Sequence, residues 1–252
     1  MSAPDGGDYR TIVVVGGGCY GSYYVRQLRR AAAAGAIRCE RILVVDRDPR
    51  CRVAAELAAE PWAVVTVEVA EWEAWFARFL DAAAREGVAA RDAIVPSPLM
   101  PHLMVDWILS RARTRWPDYR IDLAPLPGTP PTPWERAGTD GSHYVSHATW
   151  ECPINCIEPR LCPHTRAERS WSMPESARQF VASLAGSGTA VAGPAVMHCA
   201  HRAFGVGMFD VREVLDADRV VAESGAMGGA QVLVGTMSHC HGAWSLLRMV
   251  AA

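Results

Sequence analysis

A glycine-rich turn between an apolar run and a helical stretch places the strongest constraint on the fold. Thr11 to Val15 are followed at once by Gly16-Gly17-Gly18-Cys19-Tyr20-Gly21. The apolar run is typical of a buried parallel strand. In the pattern G-x-G-x-x-G, the first glycine permits a tight turn, the second lets a pyrophosphate approach and the third lets helix and strand pack closely. Amides at the N-terminus of the following helix would face the phosphates, so the turn predicts an adenine dinucleotide site.

An acidic residue at the end of the next predicted strand supports this interpretation. Asp46 follows Gly21 by 25 residues, where a carboxylate would accept hydrogen bonds from ribose hydroxyls. The neighbouring Arg47 leaves NADP possible as well as NAD, although Asp46 would repel the 2′-phosphate of NADP. The alternative is a glycine turn in an α/β protein with no ligand. The predicted cofactor contacts are Gly16, Gly18, Cys19, Tyr20, Gly21, Asp46 and Arg47.

Strand-like and helix-like stretches alternate through the first 124 residues. This alternation predicts an α/β fold, a Rossmann-like doubly wound, mostly parallel sheet covered on both faces. The predicted strands are 11–15, 41–46, 63–69, 93–95 and 121–123, and the predicted helices are 19–34, 49–59, 71–85 and 102–113.

The alternation of strand-like and helix-like stretches ends after residue 124. Residues 125–141 contain five prolines and three glycines and are predicted to form a loop without regular elements. We therefore divide the chain into a dinucleotide-binding domain (1–124), a Pro/Cys-rich metal-binding segment (125–173) and a C-terminal α/β part (174–252) that completes the same sheet if its strands join it. In this last part we predict helices at 174–184 and 242–250 and strands at 190–197, 219–222 and 231–234.

The beginning of the chain resembles a known family. Val13 to Gly21, together with Leu43 to Pro49, is similar to the nucleotide-binding domains of the TrkA/RCK type, which regulate potassium transport, and related Rossmann dehydrogenases have similar starts. The resemblance covers about the first 120 residues. It implies that Gly16, Gly18, Gly21 and Asp46 contact NAD or a related adenine nucleotide. It implies a fold and a nucleotide site, not potassium regulation, because the cysteine segment and the His/Cys-rich C-terminal part depart from the pattern of that family.

Three cysteines lie close together in the middle of the chain. Cys152, Cys156 and Cys162 are spaced C-x3-C-x5-C, which is neither the zinc-ribbon pair nor the bacterial ferredoxin run. Three thiolates with a distant fourth ligand, Cys199 or Cys240, suit a 4Fe–4S cluster. The same three with His164 would suit tetrahedral zinc, and three cysteines buried under a long loop need no metal at all.

Four histidines follow predicted strands and are candidate catalytic residues. His198, His201, His239 and His241 would lie at the carboxyl edge of a parallel sheet, the edge that also carries the glycine turn. They would transfer protons or bind substrate, and the alternative for each is a structural hydrogen bond.

Composition excludes several classes of function. The net charge of −2 gives no electrostatic reason to expect nucleic acid or an anionic membrane as a partner. No apolar run reaches the ~20 residues that span a bilayer, and Met1 to Asp8 do not form a signal peptide. We therefore expect a cytoplasmic protein whose eight cysteines are reduced thiols or metal ligands. The motifs of serine hydrolases, P-loop NTPases and zincins are absent from the sequence.

Together these features predict an NAD(P)-binding oxidoreductase or electron-transfer protein with a cysteine-ligated iron–sulfur cluster. The partners would be an adenine dinucleotide and a redox protein. The oligomeric state is left undecided, with a homodimer as one alternative because Rossmann domains often pair. Two alternatives remain: a non-enzymatic NAD(H)-sensing module with a structural zinc, and a protein that handles a transition metal.

Overall fold

The computed structural model describes residues 7–87, 91–153 and 156–251. Residues 154 and 155 of the cysteine segment lie outside the described residues, as do the first six residues of the chain. The chain forms two compact units, one made of residues 1–101 and 200–212 and the other of residues 102–199 and 213–252. Each unit contains one β-sheet.

The described residues form the following elements in chain order: β1 (Gly7–Val15), α1 (Cys19–Ala33), β2 (Ile37–Asp46), α2 (Arg52–Ala59), β3 (Val65–Val69), α3 (Trp72–Glu86), β4 (Asp92–Val95), α4 (Met104–Arg115), β5 (Tyr119–Ala124), β6 (Trp134–Ala137), β7 (His143–Ser146), α5 (Met173–Gly186), β8 (Ala192–His198), β9 (Ala200–Ala203), β10 (Val206–Asp210), α6 (Val211–Gly225), β11 (Ala230–Met237) and β12 (His241–Ala251).

The first unit contains a mixed sheet in the order β3-β2-β1-β4-β10-β9. The four strands β3, β2, β1 and β4 are parallel, whereas β10 is antiparallel to both β4 and β9. Ile12 and Val14 of β1 are fully buried against Leu28 and Ala31 of α1. This packing holds the end of β1 and the start of α1 at a fixed distance, and the glycine turn connects them.

The second unit contains another mixed sheet, in the order β6-β7-β12-β11-β8, with β5 also paired to β12. Only the pair β11 and β8 is parallel among these strands. Phe180 and Leu184 of α5 form one core with Leu233, Trp244 and Leu246 of the sheet. The chain is therefore an α/β protein in which both sheets combine parallel and antiparallel pairs.

The predicted closing helix, 242–250, is wrong, because these residues belong to strand β12. Ala243, Trp244, Ser245, Leu246 and Leu247 are all buried. A strand covered on both faces loses the alternation of apolar and polar residues that identifies a half-buried strand, so its sequence is easily mistaken for a buried helix.

Two other predictions in the later part of the chain are also wrong. The predicted strand at 219–222 lies inside helix α6, where Val214, Ala217 and Val221 are buried at helical spacing. The segment 125–141, predicted to have no regular element, contains the short strand β6, whose four residues are exposed. No helix in the described part of the chain has the length and apolar character needed to cross a membrane.

Candidate functional site

In the glycine turn of the first unit, three of the four glycines have a specific steric or conformational reason. Gly16 has a φ of +85°, in the left-handed region that favours glycine. A Cβ atom on Gly17 would overlap the Cys51 sulfur, and one on Gly21 would overlap the carbonyl oxygen of Gly16. Gly18 differs from these three, because a Cβ there would meet no atom within 4 Å. The open space beside this turn therefore lies at Gly18, the N-cap residue of α1.

The N-terminus of α1 is suited to an anion. The N-cap makes no side-chain hydrogen bond to the helix, and the first turn contains no acidic residue. Helix N-terminal amides carry a partial positive charge and point along the axis toward whatever lies beyond the helix end. Cys19 is exposed there and Tyr20 is partly buried, so both predicted contact residues border the open space.

Asp46 lies against this turn at the carboxyl end of β2. Its Oδ2 atom accepts a hydrogen bond from the Gly17 amide at 2.6 Å, and its Oδ1 atom accepts one from the Asp48 amide at 2.8 Å. Each carboxylate oxygen can accept a second hydrogen bond, as a ribose hydroxyl would require. The structure thus brings Asp46 to the glycine turn as the sequence predicts, whereas Arg47 is exposed beside it.

Trp72 is also part of this corner, although no sequence motif identifies it as a site residue. Its indole Nε1 donates to the Val45 carbonyl at 2.9 Å. Its ring lies 3.1 Å from the position that a Cβ on Gly16 would occupy. Trp72 therefore covers the first glycine and supplies a fluorescent group at the candidate nucleotide site.

In the second unit, the three clustered cysteines lie within electrostatic range of one another. Burial raises the pKa of the Cys152 thiol, and the neighbouring Cys156 and Cys162 raise it further. A hydrogen bond with the Thr165 backbone is the largest influence on Cys162 and lowers its pKa, and the positive charge of Arg169 acts in the same direction. Within residues 7–87, 91–153 and 156–251, no three His, Cys, Asp or Glu side chains are grouped so as to hold a metal ion.

Backbone hydrogen bonds fold the residues after Cys156 into a closed loop. The Cys162 amide donates to the Ala167 carbonyl at 2.9 Å, and the Arg169 amide donates to the Arg160 carbonyl at 3.1 Å. Arg169 is brought beside Cys162 by this closure. The Arg169 Nε and Nη2 atoms are buried and have no hydrogen-bond partner among the described residues.

A turn at residues 238–241 is tied to the cysteine segment by Glu158. The Glu158 carboxylate accepts hydrogen bonds from the Ser238 hydroxyl at 2.6 Å, the His239 amide at 2.8 Å and the Cys240 amide at 3.0 Å. The carbonyl oxygens of His239 and Cys240 accept from the amides of Met173 and His147 in turn. These contacts fix the Cys240 side chain next to the segment.

The Cys240 sulfur is surrounded by N–H donors. Trp171 Nε1 donates to it at 3.3 Å, and Arg169 Nη1 lies 3.7 Å away. Burial raises the pKa of this thiol to about 12, so without a bound cation it is a neutral thiol at physiological pH. A second indole lies at Cys152: Trp150 Nε1 has no partner at hydrogen-bond length in the described structure but is near enough to favour the Cys152 thiolate.

The four predicted catalytic histidines make different described contacts. His239 and His241 belong to the turn of Cys240, and the His241 ring contacts the Ser146 hydroxyl at 3.0 Å. The His198 amide donates to Glu213 in the second unit. The His201 ring contacts the Gly205 carbonyl at 2.9 Å within the β9–β10 hairpin of the first unit.

A fifth histidine, His147, joins the two histidines of the turn. Its Nε2 atom lies 3.0 Å from the Ser176 hydroxyl, and its ring stacks on Trp171. Burial lowers its pKa, and the charges of His239 and His241 lower it further. His147 therefore lies close to His239 and His241. The sequence analysis missed His147 because this residue follows a strand, β7, that was not predicted.

Cys199 reaches the same sheet edge as Cys240. Strands β8 and β11 are parallel neighbours, with His198 paired to Met237, and the Cys199 amide donates to the Met237 carbonyl at 2.8 Å. His164, the predicted fourth ligand of a zinc site, instead stacks face to face on Trp150, with ring centroids 4.3 Å apart.

Glu158 and Arg169 were also missed by sequence reasoning. Both are charged residues within or next to the cysteine segment, and charged residues in loops are commonplace. Their partners at the Cys240 turn are about 70 to 80 positions away, so no local pattern could have identified them.

Comparison with known proteins assigns the larger part of the chain to a family. Residues 104–250 match the family model AF_1314_C, described as "Uncharacterized protein, C-terminal domain". No curated protein and no solved structure matches the chain significantly. The matched residues include the cysteine segment, Arg169 and the Cys240 turn. Because the match covers more than half of the 252 residues, the chain belongs to the AF_1314_C family.

Proposed function

We propose that this protein is a cytoplasmic NAD(P)-binding oxidoreductase or electron-transfer protein whose second unit holds an iron–sulfur cluster on Cys152, Cys156 and Cys162. The observation that carries the proposal is that Cys156 and Cys162 lie within electrostatic range of Cys152, with the Arg169 guanidinium close to Cys162. Nicotinamide would supply hydride transfer, and the cluster would supply single-electron transfer.

The first unit supports a Rossmann-like nucleotide site. Its four parallel strands, in the order β3-β2-β1-β4, are those expected of the first half of such a fold. The glycine turn and Asp46 lie at the carboxyl ends of β1 and β2, where ligands bind in open α/β sheets. The resemblance of the first 120 residues to TrkA/RCK nucleotide-binding domains agrees with this interpretation.

The N–H donors around the cysteine segment favour an anionic hydrogen-bond acceptor. A buried N–H group without a partner costs about 1–3 kcal/mol, and more when it is part of a charged group. Thiolates and bridging sulfides accept hydrogen bonds, and such bonds are among the factors that set a cluster's reduction potential. Arg169 and Trp150 present N–H groups that such acceptors would satisfy.

The histidines of the Cys240 turn are proposed to transfer protons or to bind substrate. Burial and the charges of His239 and His241 lower the pKa of His147, which favours the neutral imidazole, a form that both donates and accepts hydrogen bonds. The roles proposed for His198 and His201 rest on the sequence alone.

A pair of glycine substitutions tests the nucleotide site. Gly18→Ala adds a methyl group where the protein leaves open space, and the φ of −73° at Gly18 suits alanine. The substitution should therefore leave the thermal unfolding midpoint nearly unchanged while the methyl group displaces the pyrophosphate. We expect the affinity for NADH and for NADPH to fall by at least about tenfold, or about 1.4 kcal/mol. Quenching of tryptophan fluorescence measures both affinities.

Gly186→Ala is the matched control for this test, because a Cβ there also meets no atom within 4 Å and the residue lies in α5 of the other unit. It should bind nucleotide as the wild type does. Binding by Gly18→Ala at wild-type affinity, or no binding of either nucleotide by the wild type, would contradict the proposed site.

Metal analysis tests the cluster. Protein purified without oxygen should be brown and should contain iron together with acid-labile sulfide. Cys156→Ala should lose both, whereas Cys39→Ala, which removes a partly buried thiol of β2 in the first unit, should keep both. If the protein is colourless and contains one tightly bound zinc ion, the cluster proposal is wrong and the alternative, an NAD(H)-sensing module with a structural zinc, is favoured. Metal retained in full by Cys156→Ala would show that the segment is not the source of ligands.

A further inference from the structure

We infer that Trp72 binds the base of the nucleotide, with its indole ring in contact with the adenine. This inference rests on the proposed nucleotide site and names the side chain that recognises one part of its ligand. In that site the phosphates are assigned to the open space at Gly18 and the ribose to Asp46. The base is the remaining part of adenosine, and it needs a flat apolar surface that neither a glycine turn nor a carboxylate provides.

The indole of Trp72 is held at the carboxyl ends of β1 and β2. Its Nε1 atom donates to the Val45 carbonyl at 2.9 Å, and the same carbonyl accepts a hydrogen bond from the Gly16 amide at 2.9 Å. Asp46 follows Val45 directly, and its main-chain carbonyl accepts from the Ala70 amide at 3.0 Å, just before α3 begins. The position of the indole is thereby tied to the strand end that carries the proposed ribose-binding carboxylate.

Trp72 and Asp46 border the same point beside the turn. A Cβ atom on Gly16 would lie 3.1 Å from the six-membered ring of Trp72 and 4.0 Å from Asp46 Oδ2. In adenosine, the base is bonded to C1′, the carbon next to the one that carries the 2′-hydroxyl. A ribose whose hydroxyls bind Asp46 therefore places its base within a few ångströms of the carboxylate, and the Trp72 ring lies within that reach.

Trp72 also differs in exposure from the other aromatic residues of its helix. Trp75 and Phe76 are buried in the core, whereas Trp72, the first residue of α3, keeps part of its surface exposed. Contact with a base would remove this apolar surface from water. Aromatic side chains bind bases by stacking on the π-face that every base presents, so an indole at this place suits the adenine.

Tyr20 is a second aromatic residue at the turn and the alternative partner of the base. It lies in the first turn of α1, two residues after Gly18, on the helix whose amides would face the phosphates. The described contacts of Trp72 are instead with Gly16 and Val45, next to Asp46. The ribose side of the site is therefore the side on which Trp72 lies.

The first experiment measures the affinity of the full chain for NADH by isothermal titration. Trp72→Leu should weaken binding by about tenfold or more, the loss expected when an aromatic partner of a base is removed. Trp72→Phe keeps an aromatic ring but loses the hydrogen bond to Val45, and it should retain most of the affinity. Tyr20→Leu should lose less affinity than Trp72→Leu. Thermal unfolding of each variant without nucleotide establishes that it folds.

Trp62→Leu is the matched control. Trp62 is also a partly exposed tryptophan of the first unit, but it precedes β3, whereas Trp72 follows it. Because β3 is parallel to β2, Trp62 lies at the amino edge of the sheet, opposite the edge that carries Asp46. Trp62→Leu should therefore bind NADH as the wild type does.

The second experiment reports on the base itself. Etheno-ADP-ribose carries a fluorescent adenine and no nicotinamide, and an indole in contact with this base quenches its emission. At saturation the wild type and Trp62→Leu should quench the emission strongly, whereas Trp72→Phe should quench it much less. A residue that only stabilised the turn would leave the emission of the bound base unchanged when it is replaced.

The outcomes separate the two levels of the argument. A wild-type chain that binds neither NADH nor NADPH overturns the proposed nucleotide site and this inference together. Binding that is weakened by Gly18→Ala but not by Trp72→Leu leaves the site in place and overturns the role of Trp72. Equal losses in Trp72→Phe and Trp72→Leu would assign the effect to the hydrogen bond with Val45, and a larger loss in Tyr20→Leu would assign the base to Tyr20. Either result overturns the inference.

Discussion

A buried histidine should make the stability of this protein fall in mildly acidic solution. His102 is 7% exposed, its Nδ1 atom lies 2.9 Å from the Thr236 hydroxyl, and its Nε2 atom is buried without a partner in the described part of the chain. Burial lowers the pKa of His102 from 6.5 to about 3, and the charge of Asp140 opposes this only partly. The ring is therefore neutral in the folded protein at every pH in which the fold is normally studied.

The sign and size of the effect follow from proton linkage. Below pH 6.5 the unfolded chain binds a proton at His102 that the folded chain does not bind until about pH 3. The free energy of unfolding is thus unaffected above pH 6.5 and falls as the pH is lowered through that window, by up to about 1.4 kcal/mol per pH unit. Between pH 7.5 and pH 5.0 the loss from this residue alone is about 2 kcal/mol.

Urea unfolding of the wild type and of His102→Asn at pH 7.5 and pH 5.0 measures this term. Asparagine is able to keep the hydrogen bond to Thr236 but does not titrate, so the variant should lose about 2 kcal/mol less than the wild type between the two pH values. Equal losses for wild type and His102→Asn would refute the reasoning, whatever the stability of the variant at pH 7.5.

Two further predictions concern carboxylates that accept several hydrogen bonds, one in each unit. Asp92 is fully buried and pairs through both oxygens with Arg10, whose side chain is 32% exposed. Asp92→Asn should therefore lower the free energy of unfolding by about 2 kcal/mol, less than for a fully buried pair, and an unchanged urea midpoint would contradict this. Glu158→Gln replaces the acceptor of three hydrogen bonds with a neutral group and should lower the thermal midpoint and the iron content together. A full cluster in this variant would show that the Cys240 turn is held without the Glu158 charge.

The first unit could largely be predicted from the sequence because its signals are local. Each parallel strand is a short apolar run, each following helix carries an apolar face, and the glycine turn lies between the first two. The observed bounds of β1, α1 and β2 extend or shorten the predicted ones by a few residues only. The antiparallel strands β9 and β10 were missed, because Ala200 to Asp210 contain a hairpin whose short strands give no alternating pattern.

The second unit was harder to predict because its elements are defined by their neighbours. Strand β12 pairs with β11, β5 and β7 and is buried on both faces, and none of those partners is visible in its own sequence. The cysteine site is likewise defined by partner residues that are distant in the sequence. The spacing of the thiols was visible, whereas the contacts of Glu158 and Arg169 with the Cys240 turn depend on chain closure over about 70 to 80 residues.

The distribution of unpaired buried atoms gives an independent reason to place function at the cysteine segment. Among the described residues, five buried side-chain nitrogen atoms have no hydrogen-bond partner, and three of them, Arg169 Nε, Arg169 Nη2 and Trp150 Nε1, border the clustered thiols. Folded proteins pair nearly all such atoms, because each unpaired one costs about 1–3 kcal/mol. Three at one place mean that folding alone leaves this corner of the second unit poorly satisfied. A ligand with several hydrogen-bond acceptor atoms would remove that cost.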